Sequence, residues 1–312
     1  MARPLLLHVL VTAPSTEPNR DPSTEELSRF LAVARRVASE VSTLLLEGYR
    51  RAHALDEARE KGRSDLVTEH DERAEALVKT RLSELLPEHG LVGEEGTDTA
   101  GGASLVWHVD PIDGTSNFAH GHPFFCFAMG LAARREGTPD RPLLGLVTAP
   151  AMGLTWTGGV GLGAQRNGQP CNVSNTATLD RALLATGFPS SRASDPDNNY
   201  ETFLRLDAAT HGVRRCGAAA MEIALVADGS YDAFWDLGLK SWDVCAGAAI
   251  VEAAGGRTSQ LDGAPLVLGA RRVALSNGTL HASLLIALAG DAPLPPLTPT
   301  LQAALKTPRQ VG

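Results

Sequence analysis

Apolar residues first recur at helical spacing: Leu27, Phe30, Leu31, Ala34, Val37, Val41, Leu44 and Leu45 would share one face of a long amphipathic helix. Ser23 followed by Glu26 offers a capping box to start it. A short extended piece, Asp65-Leu66-Val67-Thr68, leads into a second helix with Ala74, Leu77, Val78, Leu82 and Leu85 on one face and Pro87 beyond its end. The pattern then changes. Leu91-Val92-Gly93, a run holding Val106, Trp107 and Val109, and runs at 124–131, 144–148 and 154–157 read as short strands with Gly and Pro turns between them. Asn167-Gly168 marks a further hairpin. Beyond residue 174 strands and helices alternate: strand 182–186, helix 200–206, a strand near Val213, helix 218–227, strand 231–235, a helix opening at Trp242-Asp243 and stopped by Gly255-Gly256, strand 273–275 and helix 280–288.

This pattern divides the chain of 312 residues into an N-terminal α+β subdomain, 23–174, and a smaller C-terminal α/β subdomain, 175–290. Residues 1–22 read as a disordered leader and 291–312 as a Pro-rich mobile tail. Within the leader, the apolar run at 4–11 is short and interrupted by His8. A cleavable signal and a mis-assigned start are the competing readings of it, and no segment is long and apolar enough to span a bilayer. A net charge of -8 argues against nucleic acid as a partner, because phosphate backbones are held by clustered Lys and Arg. Cys126, Cys171, Cys216 and Cys245 are widely spaced, which suggests reduced thiols and a cytoplasmic location rather than zinc or a disulfide framework.

The chemistry concentrates where a core strand ends. After Trp107-His108-Val109 come two acids, Asp110 and Asp113, then Gly114, Thr115 and Ser116. Two carboxylates this close repel each other unless a proton or a cation lies between them. Glu94 and Asp243 also follow apolar or glycine-marked segments and could emerge at the same sheet edge. Each acid has a plainer reading: Asp243 as an N-cap, Glu94 and Glu95 as solvated loop charges, Asp113-Gly114 as a turn. An EF-hand is disfavoured because its alternating oxygen ligands and terminal Glu are missing, and His108, His120 and His122 lack zinc spacing. All-oxygen ligands point to magnesium or manganese. The turn at Gly114-Thr115-Ser116 could present N–H groups to an anion such as phosphate.

Gly93-Glu94-Glu95, Asp110-Pro111-Ile112-Asp113-Gly114-Thr115-Ser116-Asn117-Phe118 and Trp242-Asp243-Val244-Cys245-Ala246-Gly247 resemble the three signature segments of the inositol monophosphatase family, magnesium-dependent and lithium-sensitive phosphatases. The likeness extends from about residue 26 to 288. It implies an α+β fold, a layered α-β-α-β-α sandwich, and a homodimer. It also implies two or three magnesium ions, with manganese as an alternative, on Glu94, Asp110, the Ile112 carbonyl, Asp113 and Asp243. Asp71, Glu94 and Thr115 would orient and deprotonate the attacking water. Substrate would meet Asp113, Gly114, Thr115, Ser116, Ala219, Asp236 and Asp243. Asp236 stands where the family commonly has Glu, Ala218 where Ser or Thr is usual, and Gly96 where Ser is common; these departures leave the implied metal set intact and bear on the choice of substrate. The substrate that the resemblance implies is a small polyol phosphate monoester, inositol monophosphate first. Histidinol phosphate, fructose 1,6-bisphosphate and 3'-phosphoadenosine nucleotides are the alternatives, and a catalytically silent binding protein is the alternative of another class.

Overall fold

The computed structural model describes residues 20–50, 59–62 and 65–290; most of the leader and the Pro-rich tail lie outside them. Helix α1 (Thr24–Arg50) begins where the sequence places it, with Ser23 N–H donating to Glu26 Oε2 at 2.7 Å and Glu26 N–H to Ser23 Oγ at 3.2 Å. A two-stranded ribbon, β1 (Arg59–Gly62) with β2 (Asp65–Val67), leads into α2 (Glu69–Leu85). There follow β3 (Gly90–Gly93), β4 (Leu105–Asp113), the short α3 (Thr115–Ala119), β5 (Cys126–Ala133), β6 (Arg141–Ala149), β7 (Leu154–Gly159), β8 (Gly163–Arg166) and β9 (Gln169–Pro170). These seven strands pair in chain order, β3 and β4 parallel and the rest antiparallel, which is the meander expected from the short Gly and Pro turns.

The second half supplies β10 (Leu184–Thr186), α4 (Tyr200–Ala209), β11 (Val213–Arg214), α5 (Ala219–Ala227), β12 (Ala233–Leu237), α6 (Ser241–Ala253), β13 (Arg257–Gln260), β14 (Arg272–Ser276) and α7 (His281–Ala289). Its strands form a five-stranded mixed sheet in the order β11-β10-β12-β14-β13.

Strand alternation sorts the side chains into three apolar layers. Trp107, Val109, Phe127, Met129, Leu131, Leu144 and Leu146 pack with α1 and α2 on one face of the large sheet. Its other face, with Ala128, Val147 and Trp156, shares a core with α5, α6 and the small sheet's Phe234, Val273 and Leu275. The far face of the small sheet, with Leu184, Trp235 and Ala274, is covered by α4 and α7 through Leu206 and Leu284. The result is the α-β-α-β-α sandwich. Because α5 and α6 lie between the two sheets, the middle core is made by both halves of the chain.

Helix α6 can approach the large sheet closely because a row of glycines crosses the sheet beneath it. Gly130, Gly145 and Gly158 pair side by side across β5, β6 and β7. A Cβ on Gly145 would overlap the Ala246 carbonyl, one on Gly130 would come within 2.5 Å of the Ala246 nitrogen, and one on Gly158 within 3.0 Å of the Ile250 Cα. These neighbours are backbone atoms of a buried helix and cannot rotate away. Gly145→Ala should therefore destabilise the protein by about 1–3 kcal/mol or more, as overpacking does. Gly102→Ala, where a Cβ would meet nothing within 4 Å, should be close to neutral, and denaturant unfolding of both variants checks the contrast.

Candidate active site

Strand β4 is buried along all but its first residue and carries both acids of the central motif. Pro111 does not end it: the strand runs on to Asp113, with the register against β5 slipping between Asp110 and Asp113. That slip separates the roles of the two carboxylates. Asp110 is 2% exposed. Asp113 reaches the start of α5, where it accepts N–H bonds from Ala219 at 3.0 Å, Ala220 at 2.7 Å and Met221 at 3.4 Å. Helix α5 has no capping side chain of its own, so an acid 106 residues earlier in the chain satisfies its orphan donors. Nothing in the local sequence of α5 signals this.

Three other elements bring their acids to β4. Glu94 lies in the turn after β3; its own N–H donates to Val109 O at 3.2 Å, which sets it beside the strand just before Asp110. Asp243 is in the first turn of α6. It is not the N-cap that its position suggested: Lys240 holds that place, and the Asp243 carboxylate accepts the Lys240 N–H at 2.7 Å. Asp71, in the first turn of α2, is buried and takes the Thr68 N–H at 2.7 Å and the Thr68 hydroxyl at 2.6 Å. Its other oxygen accepts the Thr115 hydroxyl at 3.2 Å, and Thr115 Oγ1 also lies 2.9 Å from the Ile112 carbonyl. Thr115 has one proton to share between those two acceptors.

The Asp110 carboxyl interacts with those of Glu94 and Asp243, and Asp113 adds to the negative field around it. Loss of solvation, then this mutual repulsion, drives Asp110 well above the usual carboxylate range. Burial also raises Asp113, against the opposing pull of the α5 N–H groups, and raises Asp243 against the Lys240 N–H. Asp71 rises to about 6, chiefly by burial, with the Thr68 hydrogen bonds opposing. Among the described residues no three His, Cys, Asp or Glu side chains are arranged so as to hold a metal ion together. The donor chemistry nevertheless fits a hard divalent cation: the ligating groups are all oxygens, and Asp110 Oδ1 is buried without a hydrogen-bond partner among the described residues.

Next to Asp113 opens a cavity of about 250 Å³ whose wall includes Arg215, Ala218, Ala219, Glu222 and Asp236. Asp236 is 4% exposed and sits at about 7, raised first by burial. Asp236 and Ala219 thus belong to one chamber with Asp113, whereas Ser116 and Lys240 are exposed and are not part of its wall. Gly114 has φ of 90°, and a Cβ there would sit 3.1 Å from both the Gly217 and Phe124 carbonyls, so the turn into α3 admits glycine alone. Sequence reading missed Glu222 and Arg215. Glu222 had a visible signal, an acid inside the otherwise apolar run Ala218-Ala219-Ala220-Met221-Glu222-Ile223; it is 1% exposed and accepts the Cys216 N–H at 2.7 Å. Asn117 was also missed as a structural tie: its amide donates to Phe124 O at 2.6 Å and Cys216 O at 2.9 Å, fastening α3 to the approach to α5.

Residues 26–293 match the model of the inositol monophosphatase family. The chain belongs to that family. As a family member it is a phosphoric monoester hydrolase, and the family is generally metal-dependent. Among its relatives, the inositol-1-monophosphatase of Synechocystis is 40% identical over 237 residues, 75% of this chain and 81% of that protein. The Nus factor SuhB of Pseudomonas aeruginosa is 36% identical over 261 residues, 82% of this chain and 94% of that protein. The solved inositol monophosphatase of Anabaena superimposes with a TM-score of 0.76 at 35% identity, over 87% of this chain and 98% of that one. The layered fold of the inositol monophosphatase family is therefore shared along nearly the whole of the described chain.

The raised Asp110 pKa has a consequence for stability that can be measured in chelator. A carboxyl held above its unfolded value stabilises the fold while protonated and loses that contribution as pH rises through the folded pKa. Asp110→Asn, which keeps the shape without the charge, should raise the melting temperature of the metal-free protein by several degrees at pH 8. The advantage should shrink toward pH 5, as the native carboxyl takes up its proton.

Proposed function

We propose that the protein hydrolyses a small polyol phosphate monoester, with inositol monophosphate the first candidate, using magnesium ions bound at the acid cluster. The observation that carries this reading is the buried Asp110, flanked by Glu94, Asp113 and Asp243 and with an unpartnered oxygen. The turn after β3, the end of β4 and the first turn of α6 contribute these acids to one place, at the edge of a chamber of suitable size for a phosphorylated polyol. Glu94, Asp110, the Ile112 carbonyl, Asp113 and Asp243 would hold two or three ions, and manganese would serve in the same oxygen set. When bound, the cations offset the carboxylate charge, polarise the phosphate and lower the pKa of the attacking water.

The chain's own groups divide the remaining work. Glu94 accepts the proton of the attacking water. Thr115, aligned by its hydrogen bond to Asp71, holds that water through its hydroxyl oxygen. The Gly114 and Thr115 N–H groups, at the start of α3, cradle the phosphate, with Ser116 at its outer side. Ala219, Asp236 and Asp243 face the substrate's alcohol portion. Asp236 accepts hydrogen bonds from its hydroxyls, and the short Asp236 and Ala218 side chains leave room for a polyol larger than a bare inositol. Histidinol phosphate, fructose 1,6-bisphosphate and 3'-phosphoadenosine nucleotides remain the competing substrates. A homodimer is the expected assembly, and the four free cysteines favour a cytoplasmic location.

The relative named as a Nus factor supports a second reading, a protein retained for binding. The complete set of Asp71, Glu94, Asp110, Asp113, Thr115 and Asp243 favours the enzyme. Phosphate release from a panel of monoesters, with and without magnesium, separates the two. The enzyme reading predicts turnover that requires magnesium, a fall of about 10²-fold or more in kcat for Glu94→Gln with little change in KM, and loss of activity in Asp110→Asn. Absence of metal-dependent turnover on every substrate, with Asp110→Asn indistinguishable from the native protein, would sink it.

A further inference from the structure

Helix α2 carries a second buried acid one turn after Asp71, and the proposed mechanism does not use it. Glu75 is 3% exposed. Its Oε2 accepts the Glu95 N–H at 2.7 Å and its Oε1 the Thr97 N–H at 2.8 Å. Both donors belong to the turn that carries Glu94. The carboxylate reaches them through space that a side chain at position 93 would fill, since a Cβ on Gly93 would overlap Glu75 Oε2 and Cδ. The Gly93 N–H is in turn tied to the Thr97 carbonyl at 2.8 Å, which closes the turn on itself.

Positions 71 and 75 are four apart and share one face of α2. Asp71 grips Thr115, while Glu75 grips the backbone on either side of Gly96. One rigid helix therefore holds both the hydroxyl and the carboxylate that the proposed mechanism assigns to the water. We propose that Glu75 is a positioning residue: by clamping the 94–97 turn it fixes where the Glu94 carboxylate stands relative to Asp110 and Thr115, and so sets the affinity of the site for a divalent cation. This rests on the proposed role of Glu94. Only a carboxylate suits the place, because it accepts with both oxygens. A glutamine would turn an NH₂ group toward one of the two N–H donors.

The test uses Mn²⁺ as probe, its binding followed by electron paramagnetic resonance without turnover, alongside steady-state kinetics. Glu75→Gln and Gly93→Ala, the second displacing the carboxylate without altering it, should each weaken Mn²⁺ binding by about ten-fold or more and lower kcat similarly. KM for the phosphate ester should change little. In the native protein, saturation with Mn²⁺ should slow hydrogen exchange at the Glu95 and Thr97 amides, because coupling between clamp and cation is reciprocal. That measurement needs neither variant to fold. The proposal is overturned if exchange at those two amides is unchanged on loading, or if either folded variant keeps Mn²⁺ affinity and kcat within about two-fold of native. Failure of the phosphatase reading would show separately, as native protein that binds Mn²⁺ but releases no phosphate.

Discussion

The structure depends on a repulsion. Asp110, Asp113, Asp243 and Glu94 are brought together at the edge of a cavity, with Asp110 and Asp113 almost wholly removed from water. Ionised carboxylates in such a place are costly, and protonated ones would have little reason to gather there. Hydrogen bonds answer part of the cost: α5 donates to Asp113, and Lys240 N–H to Asp243. Asp110 Oδ1 has none among the described residues. The least satisfied group in the cluster is thus the one at its centre, where a cation would meet oxygen from several directions.

Holding like charges together requires a scaffold that cannot relax. The glycine row on β5, β6 and β7 lets α6 lie directly on the large sheet, and Gly247 in α6 leaves room for Ile223 of α5. Two helices are thereby locked between two sheets with their N-termini facing the end of β4. The acids use those N-termini: Asp243 belongs to the first turn of one, and Asp113 caps the other. On the opposite face of the large sheet, α2 adds Asp71 and its tie to Thr115. The site's precision comes from backbone packing, which small residues make possible.

Much of this was legible in the sequence. Long periodic stretches gave α1 and α2, and turn residues marked the meander. The segments around Asp110, Glu94 and Asp243 carried the family likeness, so the acids could be named before their neighbourhood was seen. What could not be read was long-range. The bond from Asp113 to α5 spans 106 residues, and no local pattern encodes it. Asp243 looked like an N-cap because an acid at a helix start satisfies either position, and only the backbone conformation at Lys240 decides between them. Glu222 stood out as an acid in an apolar run, but nothing local showed that the run packs beside Asp113, and Arg215 had no signal at all.

The central claim is that the carboxyls are held for a cation and retain protons without one. It is tested most directly by counting protons released when Mg²⁺ binds, from calorimetry in buffers of different ionisation enthalpy between pH 5 and 9. The account predicts release near pH 6 to 7 that declines as pH rises and the acids lose their protons unaided. Magnesium binding with no proton release at any pH in that range would contradict it.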